Sequence, residues 1–289
     1  MADRHAIISD NVKGAFFVDQ TCTDCEVCRH FAPDIFGYGS SHAFVQKQPE
    51  HDVELIEAQR AIFACHVGAI GTLDTQDLSQ AKQSLPLNLV GPVYVNGFNA
   101  ESSFAAHSYF VNSQAGNWMI DSPRFTRHLV KRFEEMGGVD YIFLSHRDDV
   151  ADADKYAAHF GAKRIIHEHE SPAQPDAEIV LAGEGDHEIE GAQILFTPGH
   201  TRGSLSLVWQ DKYIFTGDHF AWEPQDHKFA AFRNVCWYSW DKQIKSVEKL
   251  GAFDKIEWVF PGHGMWGQVP SGKFPKVVGA AVKDMVALK

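Results

Sequence analysis

Cys22, Cys25 and Cys28 are spaced two residues apart, and a fourth cysteine, Cys65, follows in the run Ala-Cys-His-Val-Gly-Ala-Ile. Three thiolates on a tight Cys-x2-Cys-x2-Cys loop reach three corners of one iron–sulfur cubane, and a distant fourth closes the last corner. A zinc knuckle would more often show paired Cys-x2-Cys units, and disulfide frameworks belong to secreted chains. The spacing therefore predicts one 4Fe-4S cluster held by Cys22, Cys25, Cys28 and Cys65. It also predicts an electron-carrying module over residues 1–80. A second cluster would need a second cysteine-rich run, and the sequence has none. The fifth cysteine, Cys236, lies in the aromatic run Asn-Val-Cys-Trp-Tyr-Ser-Trp, where a thiol is more often buried filler than nucleophile.

A second set of chemistry-bearing residues follows four apolar runs of strand type. Ser145-His146-Arg147-Asp148-Asp149 and then Asp152 come after Tyr-Ile-Phe-Leu; Thr197-Pro-Gly-His200 after Ile-Leu-Phe; Thr216-Gly-Asp218-His219 after Tyr-Ile-Phe; and Pro261-Gly-His263 after Trp-Val-Phe. Strand ends are where layered folds place their chemistry. A lone histidine there is usually a surface or core residue. Four such sites in order, each with histidine or aspartate and most beside glycine, are hard to explain by packing and point to a metal centre.

The elements that must position these residues can be read from hydrophobic periodicity. Short runs of β-branched and aromatic residues at 108–111, 118–121, 141–144, 164–166, 192–196, 204–209 and 213–215 alternate with helical patterns over 127–136 and 152–160. Strand runs joined partly by hairpins and partly by helices imply mixed sheets with helices packed outside. The polar stretch 72–88 reads as a linker, dividing the chain into units 1–80 and 86–289.

At 289 residues and 44% hydrophobic content the chain suits two compact domains. A net charge of −12 argues against a nucleic-acid partner, because a polyanion is repelled before specific contacts form. No apolar run reaches membrane-spanning length, and the start Met-Ala-Asp-Arg-His-Ala lacks a secretory signal plan, so a soluble cytoplasmic protein of a reducing compartment is expected.

Residues 12–75 resemble single-cluster bacterial ferredoxins, through Phe17-Val18-Asp19, the Cys22–Cys28 loop, Ala32-Pro33-Asp34-Ile35-Phe36 and Ala64-Cys65. One departure is His66, where that family usually has proline. Residues 86–270 resemble the metallo-β-lactamase superfamily, through Thr-Pro-Gly-His200-Thr-x-Gly-Ser, Phe-Thr-Gly-Asp218, Phe-Pro-Gly-His263 and Met119-Ile-Asp121-Ser. The resemblance implies an αββα sandwich, an α/β fold, preceded by a small α+β ferredoxin-like domain. It also implies that His200 and His263 each bind a metal, that Asp218 bridges two, and that Asp121 supports the site from behind.

The family's first motif, His-x-His-x-Asp-His, is altered. His146 fits the first ligand and Asp148 stands where the second histidine belongs. The remaining ligand must come from Asp152 or Asp149, ranked in that order, both near a helix N-terminus that favours an ionised carboxylate. Flavodiiron members of the family also carry an acidic residue in place of the second histidine, so the resemblance implies one or two irons, with zinc or manganese as alternatives. Mixed histidine and carboxylate sets with open positions suit iron, whereas zinc readily takes nitrogen and sulfur. His219, directly after Asp218, is expected to support the site or donate a proton.

The expected function is an iron–sulfur oxidoreductase in which the cluster passes electrons to a non-haem iron site acting on a small-molecule substrate, with an electron donor protein as partner. The alternative is a metal-dependent hydrolase of an ester, thioester or phosphate, the cluster being structural or sensory. A third reading is a non-enzymatic electron carrier. The sequence leaves the substrate and the oligomeric state open.

Overall fold

The computed structural model describes residues 2–289. In the N-terminal unit, strand Phe16–Val18 pairs antiparallel with Ile70–Thr72, and Phe36–Tyr38 forms a hairpin with Ala43–Val45. Helix α1 (Val27–Phe31) is buried throughout and helix α2 (Asp52–Ala64) presents Ala58, Ala61 and Ala64 inward, small residues that let the backbones approach closely. The first pair of strands brings the two ends of this unit together, so that the cysteine loop and Cys65 share one end.

The stretch 72–88 is not an open tether. It contains helix α3 (Ser79–Gln83), anchored to α2 through Arg60 Nε donating to Ser84 Oγ at 2.7 Å, and it enters the edge strand Leu87–Val90 of the larger unit.

The larger unit is two face-to-face sheets with helices outside. One is seven-stranded, running in space from Ile179–Leu181 through Lys163–His167, Tyr141–Phe143, Trp118–Ile120, Tyr109–Val111 and Val93–Val95 to Leu87–Val90. The other is six-stranded, from His187–Ile189 through Ala192–Phe196, Leu205–Trp209, Tyr213–Gly217 and Trp258–Pro261 to Gly267–Gln268. Both are mixed, as the alternation of hairpins and helical crossovers requires.

Side-chain alternation along each strand builds the layers. Tyr109 points between the sheets, 5.5 Å from the ring of Phe215 and 5.3 Å from that of Phe260, while the next residue, Phe110, turns outward and stacks on Phe133 at 4.9 Å. Phe133 belongs to helix α4 (Arg127–Glu135), which starts where the Thr126 hydroxyl accepts the Leu129 N–H. Tyr156 of helix α5 (Ala153–Phe160) packs beside it. On the other outer face, Leu195, Val208 and Ile214 meet Ile244 and Val247 of helix α6 (Trp240–Leu250) and Val278 and Met285 of helix α7 (Phe274–Ala287).

The N-terminal unit does not stand apart from this sandwich. A single contiguous apolar core runs from Ile8, Phe16, Cys28 and Phe31 to Val95, Tyr109, Phe215 and Phe260. Among the described residues no helix is long and apolar enough to cross a membrane.

Candidate metal centres

The four cysteines line one pocket with Val18, Thr23, Ala43, Val67 and Ile70, and none is in a disulfide. Backbone N–H groups are aimed at the sulfurs: Ala43 donates to Cys22 Sγ at 3.4 Å and Ala69 to Cys65 Sγ at 3.2 Å. Such donors favour thiolates and tune cluster potentials. Burial works the other way, pushing the Cys25 thiol up to about 11, that of Cys28 well above its usual range and that of Cys65 upward. Buried thiols gathered in one apolar pocket with amide donors on their sulfurs fit an iron–sulfur cluster, whose irons supply the charge that holds them deprotonated. His66 does not enter the sulfur set; its Nε2 lies 2.8 Å from Thr23 Oγ1 and closes the cysteine loop from the side.

The second site sits where the four strand-end loops converge. His146 Nε2 and His200 Nε2 lie 3.6 and 3.5 Å from Asp218 Oδ2, and each lies 3.8 Å from Asp148 Oδ2. Donors arranged tetrahedrally around one ion with bonds of about 2.1 Å stand about 3.4 Å apart, so these four atoms have the spacing of one coordination sphere. The two imidazole nitrogens are buried and have no hydrogen-bond partner in the protein. Asp149 is fully buried, and neither of its oxygens has a partner. It lies beside Asp218, with His146 Nδ1 3.9 Å away, and Asp149, Asp218 and His146 form a second group of donors within reach of one ion. Orphaned nitrogens and carboxylate oxygens converging in the interior are costly unless a cation satisfies them. The residues present therefore fit one or two metal ions.

The supporting residues explain the aim of the ligands. Asp121 accepts the Ser145 N–H at 2.8 Å, and Ser145 Oγ lies 2.9 Å from His146 Nδ1, which leaves Nε2 of that ring for the metal. Pro-Gly-His occurs twice because both glycines are crowded. A Cβ on Gly262 would lie 2.5 Å from Asp149 Oδ2 and 2.8 Å from Asp218 Oδ1, and one on Gly199 would lie 2.4 Å from the Gln243 backbone at the start of α6.

Electrostatics show how negative this pocket is. Burial pushes Asp121 up to about 7, and burial together with the Asp218 charge pushes Asp149 well above the carboxylate range. Asp218 is held far below it: burial opposes ionisation, but the His263 charge and hydrogen bond outweigh that. His263 is raised to about 10, against the pull of burial, because its Nδ1 lies 2.9 Å from both oxygens of Asp218. An imidazolium at His263 thus supplies positive charge to the bridging carboxylate, and metal binding through that ring must displace its proton. Burial lowers His146 to about 4, leaving it the neutral form a ligand needs.

His146, Asp148, Asp149, His200, Asp218 and His263 are brought together. Asp152 is not, and the expected ranking of Asp152 before Asp149 is reversed. Arg147–Asp149 form a 3-10 turn that swings Asp149 back toward His146, whereas Asp152 becomes the N-cap of α5. Its Oδ2 accepts the Phe125 N–H at 2.7 Å and its Oδ1 pairs with Lys155 at 2.6 Å. His219 is buried beside His200, ring centroids 6.5 Å apart, and burial lowers it to about 3. Sequence reasoning passed over Phe104, whose carbonyl lies 3.2 Å from His263 Nε2, and saw in Trp237 only the surroundings of Cys236. The Trp237 and Tyr238 N–H groups both bond the His200 carbonyl. The exposure of large apolar side chains at Phe104 and Trp237, 74% and 68%, was the readable signal only once the fold was known.

The family model of the metallo-beta-lactamase superfamily matches residues 93–274, and that of the 4Fe-4S single cluster domain of Ferredoxin I matches residues 18–72. The chain belongs to the metallo-beta-lactamase superfamily and carries a single-cluster ferredoxin domain ahead of that fold. A probable metallo-hydrolase of Methanocaldococcus jannaschii is 30% identical over 111 residues, 36% of this chain and 50% of that protein, so the chain spans about half the length of this curated relative. Among solved structures, a metallo beta lactamase from Hirschia baltica superposes with a TM-score of 0.53 at 14% identity, covering 69% of this chain and 96% of that one. The structure titled VMB-1 gives 0.52 at 16% identity, with coverages of 70% and 95%. At these identities the structural likeness shows the fold alone.

Proposed function

We propose that the protein is a two-centre oxidoreductase. Cys22, Cys25, Cys28 and Cys65 hold a 4Fe-4S cluster, and His146, Asp148, Asp149, His200, Asp218 and His263 hold one or two irons that act on a small-molecule substrate. The observation that carries this reading is the donor set itself: three carboxylates with three imidazoles, Asp148 standing within 3.8 Å of both His146 and His200. Oxygen-rich mixed sets suit iron better than zinc. The core shared between the cysteine unit and the sandwich supports the same reading, because a fixed arrangement of two centres serves electron transfer. When bound, the irons supply one-electron chemistry and the open coordination positions a substrate needs. The residues do the rest: Asp121 and Ser145 orient His146, the Phe104 carbonyl faces His263, and the Trp237 ring lies 6.4 Å from that of His200.

A metal-dependent hydrolase is the second reading, favoured by the similarity to a relative named a probable metallo-hydrolase. In that case a bound metal would ionise water near neutral pH. Mössbauer spectroscopy with elemental analysis on anaerobically purified protein distinguishes the two. Site iron that changes oxidation state on dithionite reduction and air reoxidation is the expected result. Zinc at the site, or iron that does not respond, rejects the oxidoreductase and leaves the hydrolase.

A further inference from the structure

His30 and His107 come from different units, 77 residues apart in sequence, yet His30 Nδ1 lies 2.8 Å from His107 Nε2 and both rings are buried. Trp266 covers the pair, with ring centroids 5.1 Å from His107 and 6.1 Å from His30. At that separation the two ring nitrogens share one proton. The Asn99 side-chain amide donates to the carbonyls of Ala105 and Ala106 at 2.7 and 2.9 Å and holds the loop that carries His107 in place.

The pair lies on a continuous bonded route between the two centres. His30 is in the same helical turn as the cluster ligand Cys28. On the other side, the His107 backbone N–H donates to the Gly262 carbonyl at 2.7 Å, and Gly262 is bonded directly to His263. From a cluster sulfur to a site ligand the chain of atoms is covalent except for two hydrogen bonds, 2.8 and 2.7 Å long. Electron tunnelling decays far less along bonds and short hydrogen bonds than across van der Waals gaps.

We infer that the His30–His107 hydrogen bond is the coupling element that carries electrons from the cluster to the metal site, which makes these two histidines positioning residues for internal electron transfer. This inference rests on the oxidoreductase reading. With a cluster held by Cys22, Cys25, Cys28 and Cys65 and iron held at the second site, the step would balance simply: the cluster, reduced by dithionite, would give up one electron and a ferric ion at the site would take it. No bond breaks, and no proton has to leave either ring.

The test is rapid-freeze EPR and Mössbauer spectroscopy after mixing oxidised, fully loaded protein with dithionite, following the loss of the reduced-cluster signal and the appearance of ferrous site iron. His107→Leu removes the bond while keeping an apolar side chain in the pocket. The internal transfer rate is expected to fall about tenfold or more, with both centres filled. His107→Gln, whose amide can still donate to His30, is expected to recover most of that rate, which a merely structural role would not produce. If His107→Leu loses either centre, His30→Leu cuts the same hydrogen bond from the other unit and decides in its place. A wild-type rate in a leucine variant with both centres filled overturns the inference and leaves the oxidoreductase standing. Wild-type site iron that takes no electron from a reduced cluster overturns both.

Discussion

The sharpest perturbation of the metal centre adds a single methyl group. Gly262 cannot move its backbone to make room, because its N–H donates to the Gly217 carbonyl at 2.9 Å and its own carbonyl accepts the His107 N–H at 2.7 Å. In Gly262→Ala the new Cβ would stand 2.5 Å from Asp149 Oδ2, about 0.9 Å inside the 3.4 Å at which ordinary contact begins, and 2.8 Å from Asp218 Oδ1. Asp218 is tied to His263, whereas Asp149 has no hydrogen bond to hold it, so Asp149 gives way. A shift of that size is a large fraction of a metal–oxygen bond of about 2.1 Å and removes the ligand. Overpacking should cost about 1–3 kcal/mol of stability, and affinity for the second metal should fall at least about tenfold, the low end of what even outlying support residues contribute. Gly279→Ala is the control: it lies within α7 with nothing inside 4 Å of a new Cβ, and it should gain about 0.5–1 kcal/mol. The assay is Mössbauer quantification of site iron after graded chelation, with cluster absorbance as internal standard. Site iron in Gly262→Ala that survives chelation as well as wild type would refute the placement of Asp149 at the metal.

Asp149→Asn should lose site metal while keeping the cluster; Asp152→Asn should keep the metal and lose about 0.5–1 kcal/mol through its weakened bonds to the Phe125 N–H and to Lys155, read by chelator titration and by denaturant unfolding. Asp148→His, which puts imidazole between His146 and His200, should shift the preference of the site toward zinc, and an unchanged iron-to-zinc ratio after growth with both metals would count against the role given to Asp148. Site-metal-free protein should be most stable near pH 6.5. Below that value His30, His107, His146 and His219, all lowered from 6.5 by burial, must charge on unfolding but resist charging when folded, so stability is lost as pH falls toward about 3 to 4. Asp121 and Asp149, raised in the folded state, act with the opposite sign in that range but are outnumbered. Above 6.5 the raised His263 loses its contribution as pH climbs toward 10, so the unfolding midpoint should fall on both sides; a midpoint that keeps rising through pH 9 would contradict this.

Much of this was legible in the sequence because periodicity and glycine report backbone geometry directly. The apolar runs at 192–196 and 204–209 are strands within one residue of their expected ends, and helix 127–136 ends one residue early at Glu135. The Pro-Gly-His and Thr-Gly-Asp turns mark close approaches with no room for a Cβ: to the Gln243 backbone at Gly199, to Ser145 at Gly217 and to Asp149 and Asp218 at Gly262. The choice between Asp149 and Asp152 was not legible, since both precede the same helix and only the 3-10 turn at Arg147–Asp149 decides which carboxylate points inward. Nor could local patterns reveal that stretch 72–88 enters the sheet at Leu87, or that the two units share a core, because those outcomes depend on contacts between distant segments. The His30–His107 pair is the extreme case: neither residue lies in a motif that predicts the other.

The charge pattern gives the carboxylates a reason beyond coordination number. A site built from neutral imidazoles leaves the charge of its cation uncompensated, whereas Asp148, Asp149 and Asp218 together can offset three positive charges in a pocket where burial makes each ion costly. Anionic ligands stabilise the more highly charged state of a metal, so on the oxidoreductase reading proposed above a carboxylate in place of imidazole at Asp148 would favour ferric over ferrous iron and lower the potential of the site. A centre shifted that way needs a strong reductant close by to return it to the ferrous state. Low-potential electrons are what a cysteine-ligated cluster supplies, and the same sequence places four cysteines behind a buried histidine pair that leads to His263. On that reading, the acidic first motif and the ferredoxin unit would be two halves of one requirement.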